Sequence, residues 1–304
     1  MNKGEKMPKT AFISIIGRPN VGKSSILNAL IGQKIAIVTP KPQTTRTRIM
    51  GVLTKGETQL VFTDTPGFHR PKNLLGEKMV KAVGETISAV DVCMLVVEPE
   101  NQIHPAEEEL LSKIKKQEIP AILVINKIDT LKNKAEILAT IDLFRNEYDF
   151  IAIVPVSALD GDGLDDLLNV LCEQAYESPH FFPDDALTDQ PERVIAAEMI
   201  REKLLMLLDK EIPHGTAVSI ERFSEREDGS GILDIEAEIY CERNTHKGII
   251  IGKNGSKLKE ISTLARKDME NFFGCKVFLT TYVKVKEGWR NKGGLIRNFG
   301  LDQS

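Results

Sequence analysis

The sequence predicts two modules in tandem: an α/β module whose mostly parallel sheet carries helices on both faces, then a smaller α+β module. Three observations lead to this. Short, almost wholly apolar runs alternate with longer helical stretches as far as residue 175, and strands apolar on both sides need cover on both faces. The segment SPHFFPDDALTDQP, residues 178–191, then breaks the rhythm with three prolines and no period. Past it the order changes to α-β-β-α-α-β. A chain of 304 residues suits two domains of ordinary size.

In chain order, the buried strands of the first module are FISIIG (12–17), QLVFTD (59–64), DVCMLVV (91–97), PAILVI (120–125) and IAIVP (151–155). Helices are expected near 23–31, 74–88, 105–117, 132–146 and 163–175. Residues 48–56 and 59–64 read as an antiparallel hairpin at one edge, turning at Lys55-Gly56-Glu57. The first domain is thus placed at 9–177, a linker at 178–191 and the second domain at 192–299. In the latter, a helix over 192–209 precedes strands near 216–224 and 231–241. Helices near 246–251 and 255–272 bracket GKNG, and the strand KVFLTTYVKV (276–285) closes the order.

Composition narrows the function classes. No apolar run reaches the roughly 18 residues that span a bilayer, and the polar start MNKGEKMPKT does not read as a signal peptide, which favours the cytoplasm. Cys93, Cys172, Cys241 and Cys275 lie far apart with no CxxC pair, which argues against a zinc site or a disulfide framework. Net charge is −4, unevenly spread: residues 243–304 hold 13 Lys and Arg against 5 Asp and Glu. A basic end behind an acidic body points to a polyanionic partner, or to a solvated charged face.

Residues 17–24, GRPNVGKS, match GxxxxGK[ST] between a predicted strand and a predicted helix. Gly17 and Gly22 let backbone N–H groups turn inward on phosphate oxygens, and the helix N-terminus adds its positive end. Lys23 reaches the β- and γ-phosphates, and Ser24 offers a hydroxyl to Mg²⁺. Asn20, Val21 and Ser25 complete the loop's contacts. DTPG (64–67) ends a strand: Asp64 is placed to hold Mg²⁺ through water, and the Gly67 amide to face the γ-phosphate. NKID (126–129) ends another. Asp129 accepts from the guanine ring N–H and 2-amino group, while Asn126 and Lys127 brace the base and the loop. In Ser157-Ala158-Leu159 the backbone N–H near Ala158 bonds the guanine carbonyl. Adenine lacks these matches, and a site built for them leaves polar groups unpaired with the wrong base. Between the first two motifs, TPKPQTTRTRIM (39–50) is the expected mobile switch; spacing does not decide whether Thr44 or Thr45 completes the metal shell.

GKNG, Gly252 to Gly255, is the GxxG loop of a type II KH domain, given the α-β-β-α-α-β order. Gly252 and Gly255 let the backbone approach a nucleic-acid strand. Lys253 and Asn254 can touch phosphates, with Lys257 and Lys259 extending the positive surface. Ile249, Ile250 and Ile251 either line a base groove or fill the core. The tail adds Lys286, Arg290, Lys292 and Arg297, and Trp289 either stacks on a base or packs; packing is the preferred reading.

With GRPNVGKSSILNALIGQKIAIV, PQTTRTRI, FTDTPGFH, VINKID, VSAL, GIIIGKNGSKLKEI and VKVKEGWRN in order, the chain resembles the Era family of bacterial GTPases over residues 9–299. The resemblance implies a P-loop GTPase domain followed by a KH domain. It also implies hydrolysis of GTP to GDP and phosphate with Mg²⁺, binding of the 3′ end of small-subunit ribosomal RNA, and a role in assembling the small ribosomal subunit. Further implications are a monomeric cytoplasmic protein with peripheral contact at the inner membrane, Thr45 as the switch ligand, and a K⁺ ion held by Asn20. Lys23, Asn20, Thr45 and Gly67 form the catalytic set. Where Ras-like enzymes keep a glutamine after the DxxG glycine, this chain has Phe68, which cannot orient water. A membrane-associated signalling GTPase is the main alternative; a tRNA-modification GTPase would need catalytic groups not seen here.

Overall fold

The computed structural model describes residues 7–68, 71, 73–87, 90–133 and 135–301. These form two compact units. The described residues within Met1–Ile35, Thr45–Arg70 and Met79–Asp189 belong to the first, and those within Ala36–Thr44, Pro71–Lys78 and Gln190–Ser304 to the second.

The first unit alternates strands and helices: β1 (Lys9–Ile16), α1 (Lys23–Ile31), β2 (Ile49–Lys55), β3 (Thr58–Asp64), α2 (Leu74–Ile87, whose first turn lies in the second unit), β4 (Val92–Val97), α3 (Pro105–Gln117), β5 (Ala121–Ile125), α4 (Ala135–Arg145), β6 (Ala152–Pro155), α5 (Leu164–Glu173) and β7 (Tyr176–Glu177). Residue 88, the expected last residue of the second helix, lies outside the described residues. Strand order is β2-β3-β1-β4-β5-β6, with β7 on β1. The β2–β3 hairpin is antiparallel, as the sequence predicts, and β3-β1-β4-β5-β6 run parallel. The reason lies in composition: every residue of β4 and β5 is buried, so both strands need helices above and below. Leu95, Val97, Leu123 and Ile125 meet Leu110, Ile114 and Phe144 in one core cluster.

Residues 178–189, read from sequence as linker, are tied to this unit. Thr10 Oγ1 donates to the Pro179 carbonyl (3.0 Å), the Gln59 side chain bonds the backbone of Phe181 and Phe182, and Val52 N–H donates to the Leu187 carbonyl (2.9 Å). The Phe181 and Phe12 rings meet edge to face. Prolines exclude regular structure but not docking onto a sheet edge.

The second unit carries α6 (Glu192–Leu207), β8 (Ala217–Glu225), β9 (Ile232–Cys241), α7 (Asn244–Ile251), α8 (Ser256–Phe273), β10 (Lys276–Val285) and α9 (Gly293–Asn298). Its sheet runs β10-β9-β8, β10 parallel to β9 and β8 antiparallel to it. Alternate residues of β9, Leu233, Ile235, Ala237 and Ile239, bury against Ile200, Leu204, Ile261, Ala265 and Met269 of α6 and α8, the period of a sheet covered on one face. α6 also buries charge. Glu202 accepts from Val38 N–H (3.0 Å) and pairs with Lys203 (2.7 Å), which reaches Asp268 (2.6 Å), while the Arg201 guanidinium bonds the Thr44 carbonyl and Glu198. Residues 36–44 therefore pack as part of this unit.

Candidate nucleotide-binding and RNA-binding sites

The strand order brings the carboxyl ends of β1, β3, β4 and β5 side by side, which is where open α/β sheets bind ligands. The loop 17–22 leaves β1 and turns into α1 at Gly22. That residue has φ 97°, and a Cβ there would lie 2.1 Å from Asn126 Nδ2, so no other residue fits. Asn126 is buried and holds three motifs together: its Nδ2 donates to the Val21 carbonyl (2.8 Å) and its Oδ1 accepts from Ala158 N–H (3.1 Å). Asp129 is exposed and accepts from Ser157 Oγ (2.7 Å), which orients its carboxylate. Leu159 is exposed at the rim, and Lys127 is half-exposed with a left-handed backbone.

At the phosphate end, Lys23 is buried and donates from Nζ to the carbonyls of Gly17 (3.1 Å) and Arg18 (3.0 Å). Asn20 stands exposed at the loop's apex in a left-handed conformation that asparagine tolerates. Val21 is buried and Ser25 half-buried in the first turn. The DTPG segment closes on this loop: Phe68 N–H donates to the Gly17 carbonyl (3.2 Å), and Gly67 lies against Pro19. The Phe68 ring turns the other way, into the core with Val83 and Leu110, under the Lys113 ammonium at 4.0 Å from its centroid.

Ser24 Oγ lies 3.0 Å from Thr45 Oγ1 and 2.5 Å from Asp64 Oδ2. Asp64 is fully buried, and its Oδ1 has no hydrogen-bond partner among the described residues. Burial pushes its pKa up to about 6, against the pull of Lys23 and Ser24, and burial likewise pushes Lys23 down to about 8 against the pull of Asp64. Two hydroxyls and a carboxylate with an orphaned oxygen fit a hard divalent cation. Thr44 is turned away: its hydroxyl bonds Thr39 Oγ1 (2.7 Å) and the Lys41 carbonyl (2.7 Å).

Sequence reasoning missed the acidic group beside the loop. Arg18 Nη2 pairs with Glu98 (2.8 Å) and Glu100, its Nε with buried Glu107 (3.0 Å), and Lys127 Nζ with Glu98. The available signal was an acid directly following the apolar run of β4, at the ligand-binding edge of the sheet.

In the second unit, α7 ends at Gly252 (φ 71°), where a Cβ would lie 2.7 Å from Lys257 Cβ. The chain passes through Lys253 and a left-handed Asn254 (φ 52°) to Gly255, and α8 starts at Ser256. Lys253, Asn254 and Lys259 are exposed, while Lys257 pairs with Glu260 (2.8 Å). Of the three isoleucines, Ile250 is core, Ile249 is half-exposed and Ile251 packs at the core's margin. Trp289 is fully buried and donates from Nε1 to the Gly215 carbonyl (2.9 Å), so it packs. Arg290 is held by Glu242 (2.6 Å), which removes it from the spare positive charge expected of the tail.

Two family models match: the 50S ribosome-binding GTPase over residues 12–127 and the KH domain over residues 211–290. Along nearly its whole length the chain is 51% identical to GTPase Era of Clostridioides difficile, over 97% of this chain and 99% of that one. The chain belongs to the Era family. GTPase Era of Ruminiclostridium cellulolyticum is 49% identical, over 96% and 97% of the two chains. Among solved structures, Aquifex aeolicus Era bound to GDP·AlF4⁻ is 38% identical with a TM-score of 0.92, covering 96% of this chain and 99% of its own. Era in complex with MgGDPNP and nucleotides 1506–1542 of 16S ribosomal RNA is also 38% identical, with a TM-score of 0.93 over 97% and 99%. As an Era family member the chain is a GTPase, a P-loop GTPase domain joined to a KH domain.

Proposed function

We propose that this chain is a GTP-operated assembly factor of the small ribosomal subunit whose KH loop holds the 3′ end of the small-subunit ribosomal RNA. The observation that carries this reading is the GKNG loop: two glycines and two exposed residues between α7 and α8, in a chain that matches an Era bound to MgGDPNP and 16S ribosomal RNA. In the nucleotide site, Lys23 supplies positive charge at the phosphates and Asp129 the acceptor for the guanine N–H groups. Asn126 braces the loops through the Val21 carbonyl and the Ala158 N–H, and that N–H would turn from Asn126 to the guanine carbonyl when the base binds. Ser24, Thr45 and Asp64 would hold Mg²⁺, which when bound neutralises charge on the phosphate oxygens. Phe68 supplies no group that orients water, so hydrolysis rests on electrostatics and backbone positioning, with Gly67 at the γ-phosphate. Asn20 at the loop's apex supports a K⁺ ion as an added charge there. The same reading makes the protein cytoplasmic and monomeric, with peripheral contact at the inner membrane; no described helix is long and apolar enough to cross a membrane.

The test is fluorescence anisotropy with a labelled 3′-end RNA and an unrelated strand of equal length. Wild type should prefer the first. The double variant K253D/N254D keeps the turn glycines but sets two carboxylates against phosphates, and its affinity should fall more than about tenfold while its circular dichroism is retained. Wild-type affinity should also weaken with salt as counterions are released. A folded double variant that binds as tightly as wild type would reassign the second domain toward protein or membrane contact.

A further inference from the structure

We propose that Glu98 is a positioning residue for guanine nucleotide, acting by anchoring Lys127 across the gap between the phosphate loop and the base-binding loop. The inference rests on reading NKID as the base site. Glu98 is the first residue after β4, and β4 lies between β1 and β5 in the sheet. The loop 17–22 follows one neighbour and NKID the other, so a carboxylate at this point stands between them. Its two oxygens are divided accordingly: Oε2 accepts from Arg18 Nη2 at 2.8 Å and Oε1 from Lys127 Nζ.

The anchor is itself fixed. Arg18 is also held through Nε by Glu107 (3.0 Å), which is buried, and through the same Nη2 by Glu100. Burial disfavours the charge on Arg18, but the three carboxylates outweigh it, and its pKa lies above the ordinary value. A guanidinium held by several acceptors in a planar fork stays put, so Glu98 has little freedom to swing. Lys127 leaves the backbone in a left-handed conformation. Its four-carbon stem would sample many rotamers if its ammonium were loose. With the ammonium on Glu98, the stem is preordered across the loop before nucleotide arrives, and less freedom is lost on binding. Exposed ion pairs do little of this kind; here the anchor is shielded, with Glu98 and Arg18 18% and 20% exposed, while the Lys127 end of the pair is 37% exposed.

The experiment is a titration of the full chain with a fluorescent GDP in Mg²⁺ buffer, with dissociation rates from chase measurements. Glu98→Gln keeps the shape and removes the charge; it should weaken GDP binding about tenfold, chiefly through faster release. In a Lys127→Ala background the same change should have almost no further effect, because the residue it works through is gone. Lys127→Met keeps the stem but not the ammonium and should lose about as much as Glu98→Gln, which covers the case of a misfolded Glu98 variant. Wild-type affinity in Glu98→Gln or in Lys127→Met would overturn the proposal. So would a full tenfold loss on adding Glu98→Gln to Lys127→Ala, the mark of a merely structural residue. If Lys127→Ala itself bound GDP like wild type, the reading of NKID as the base site would fail first.

Discussion

Ser24 and Thr45 place their hydroxyl oxygens 3.0 Å apart across 21 residues of chain, with the Asp64 carboxylate on the same Ser24 oxygen. The neighbouring Thr44 spends its hydroxyl on Thr39 and Lys41. Thr45→Ala should therefore raise the Mg²⁺ concentration for half-maximal GTP hydrolysis about tenfold or more. Thr44→Ala should leave that concentration within about twofold. A Mg²⁺ titration of phosphate release on both variants checks this, and the reverse ranking would move the switch ligand to Thr44.

Asp129→Asn should exchange base preference. The amide presents a donor where the carboxylate presents an acceptor, which suits the 2-oxo group of xanthine. GTP affinity should drop about 100-fold or more while XTP binding appears. Competition of GTP, XTP and ATP against a fluorescent GDP measures it; wild-type protein that bound ATP as tightly as GTP would refute the guanine assignment.

Phe68→Ala should act on stability more than on chemistry. The ring is 5% exposed and packs with Val83 and Leu110, so its removal leaves a cavity costing about 3 kcal/mol and lowers Tm on the order of 10 °C. The folded fraction should hydrolyse GTP at a rate near that of wild type. Calorimetry alongside a phosphate assay separates the two effects, and an unchanged Tm with lost turnover would make Phe68 catalytic.

Asn20→Ala should reduce any stimulation of hydrolysis by KCl over NaCl. If wild type turns over equally in both salts, no K⁺ ion acts at this loop, and the GTPase reading stands without it.

Ile249 and Ile250 should part company in the KH domain. Ile250→Ala removes a fully buried side chain and should cost about 3 kcal/mol of stability. Ile249→Ala, at a half-exposed site beside GKNG, should change stability by less than about 0.5 kcal/mol yet weaken RNA binding severalfold. Urea melts and anisotropy titrations distinguish them.

Much was legible in the sequence because the decisive signals are local. The alternation of buried runs and helical stretches gave α1 and α3 to the residue and the β2–β3 hairpin with its turn. Motif residues such as Lys23, Asn126 and Asp129 can be singled out because each chemistry needs particular side chains at fixed spacing from a strand end. GKNG is recognisable from its two glycines between helical stretches in an α-β-β-α-α-β order; only the structure adds that a Cβ at Gly252 would collide with Lys257.

Other features depend on which strands become neighbours, and local sequence does not encode that. Only the register of β1, β4 and β5 sets Glu98 between Arg18 and Lys127, residues 80 and 29 positions away. Only the docking of 178–189 on Gln59 and Thr10 turns a proline-rich stretch into part of the first unit. Spacing likewise does not show that the Thr45 hydroxyl meets Ser24, 21 residues earlier, while the Thr44 hydroxyl is taken up locally by Thr39 and Lys41. The sequence by itself determined what chemistry each motif offers, because donors, acceptors and glycines are local properties. The tertiary structure alone decided which of those groups meet, because contact over long separations depends on strand order and packing.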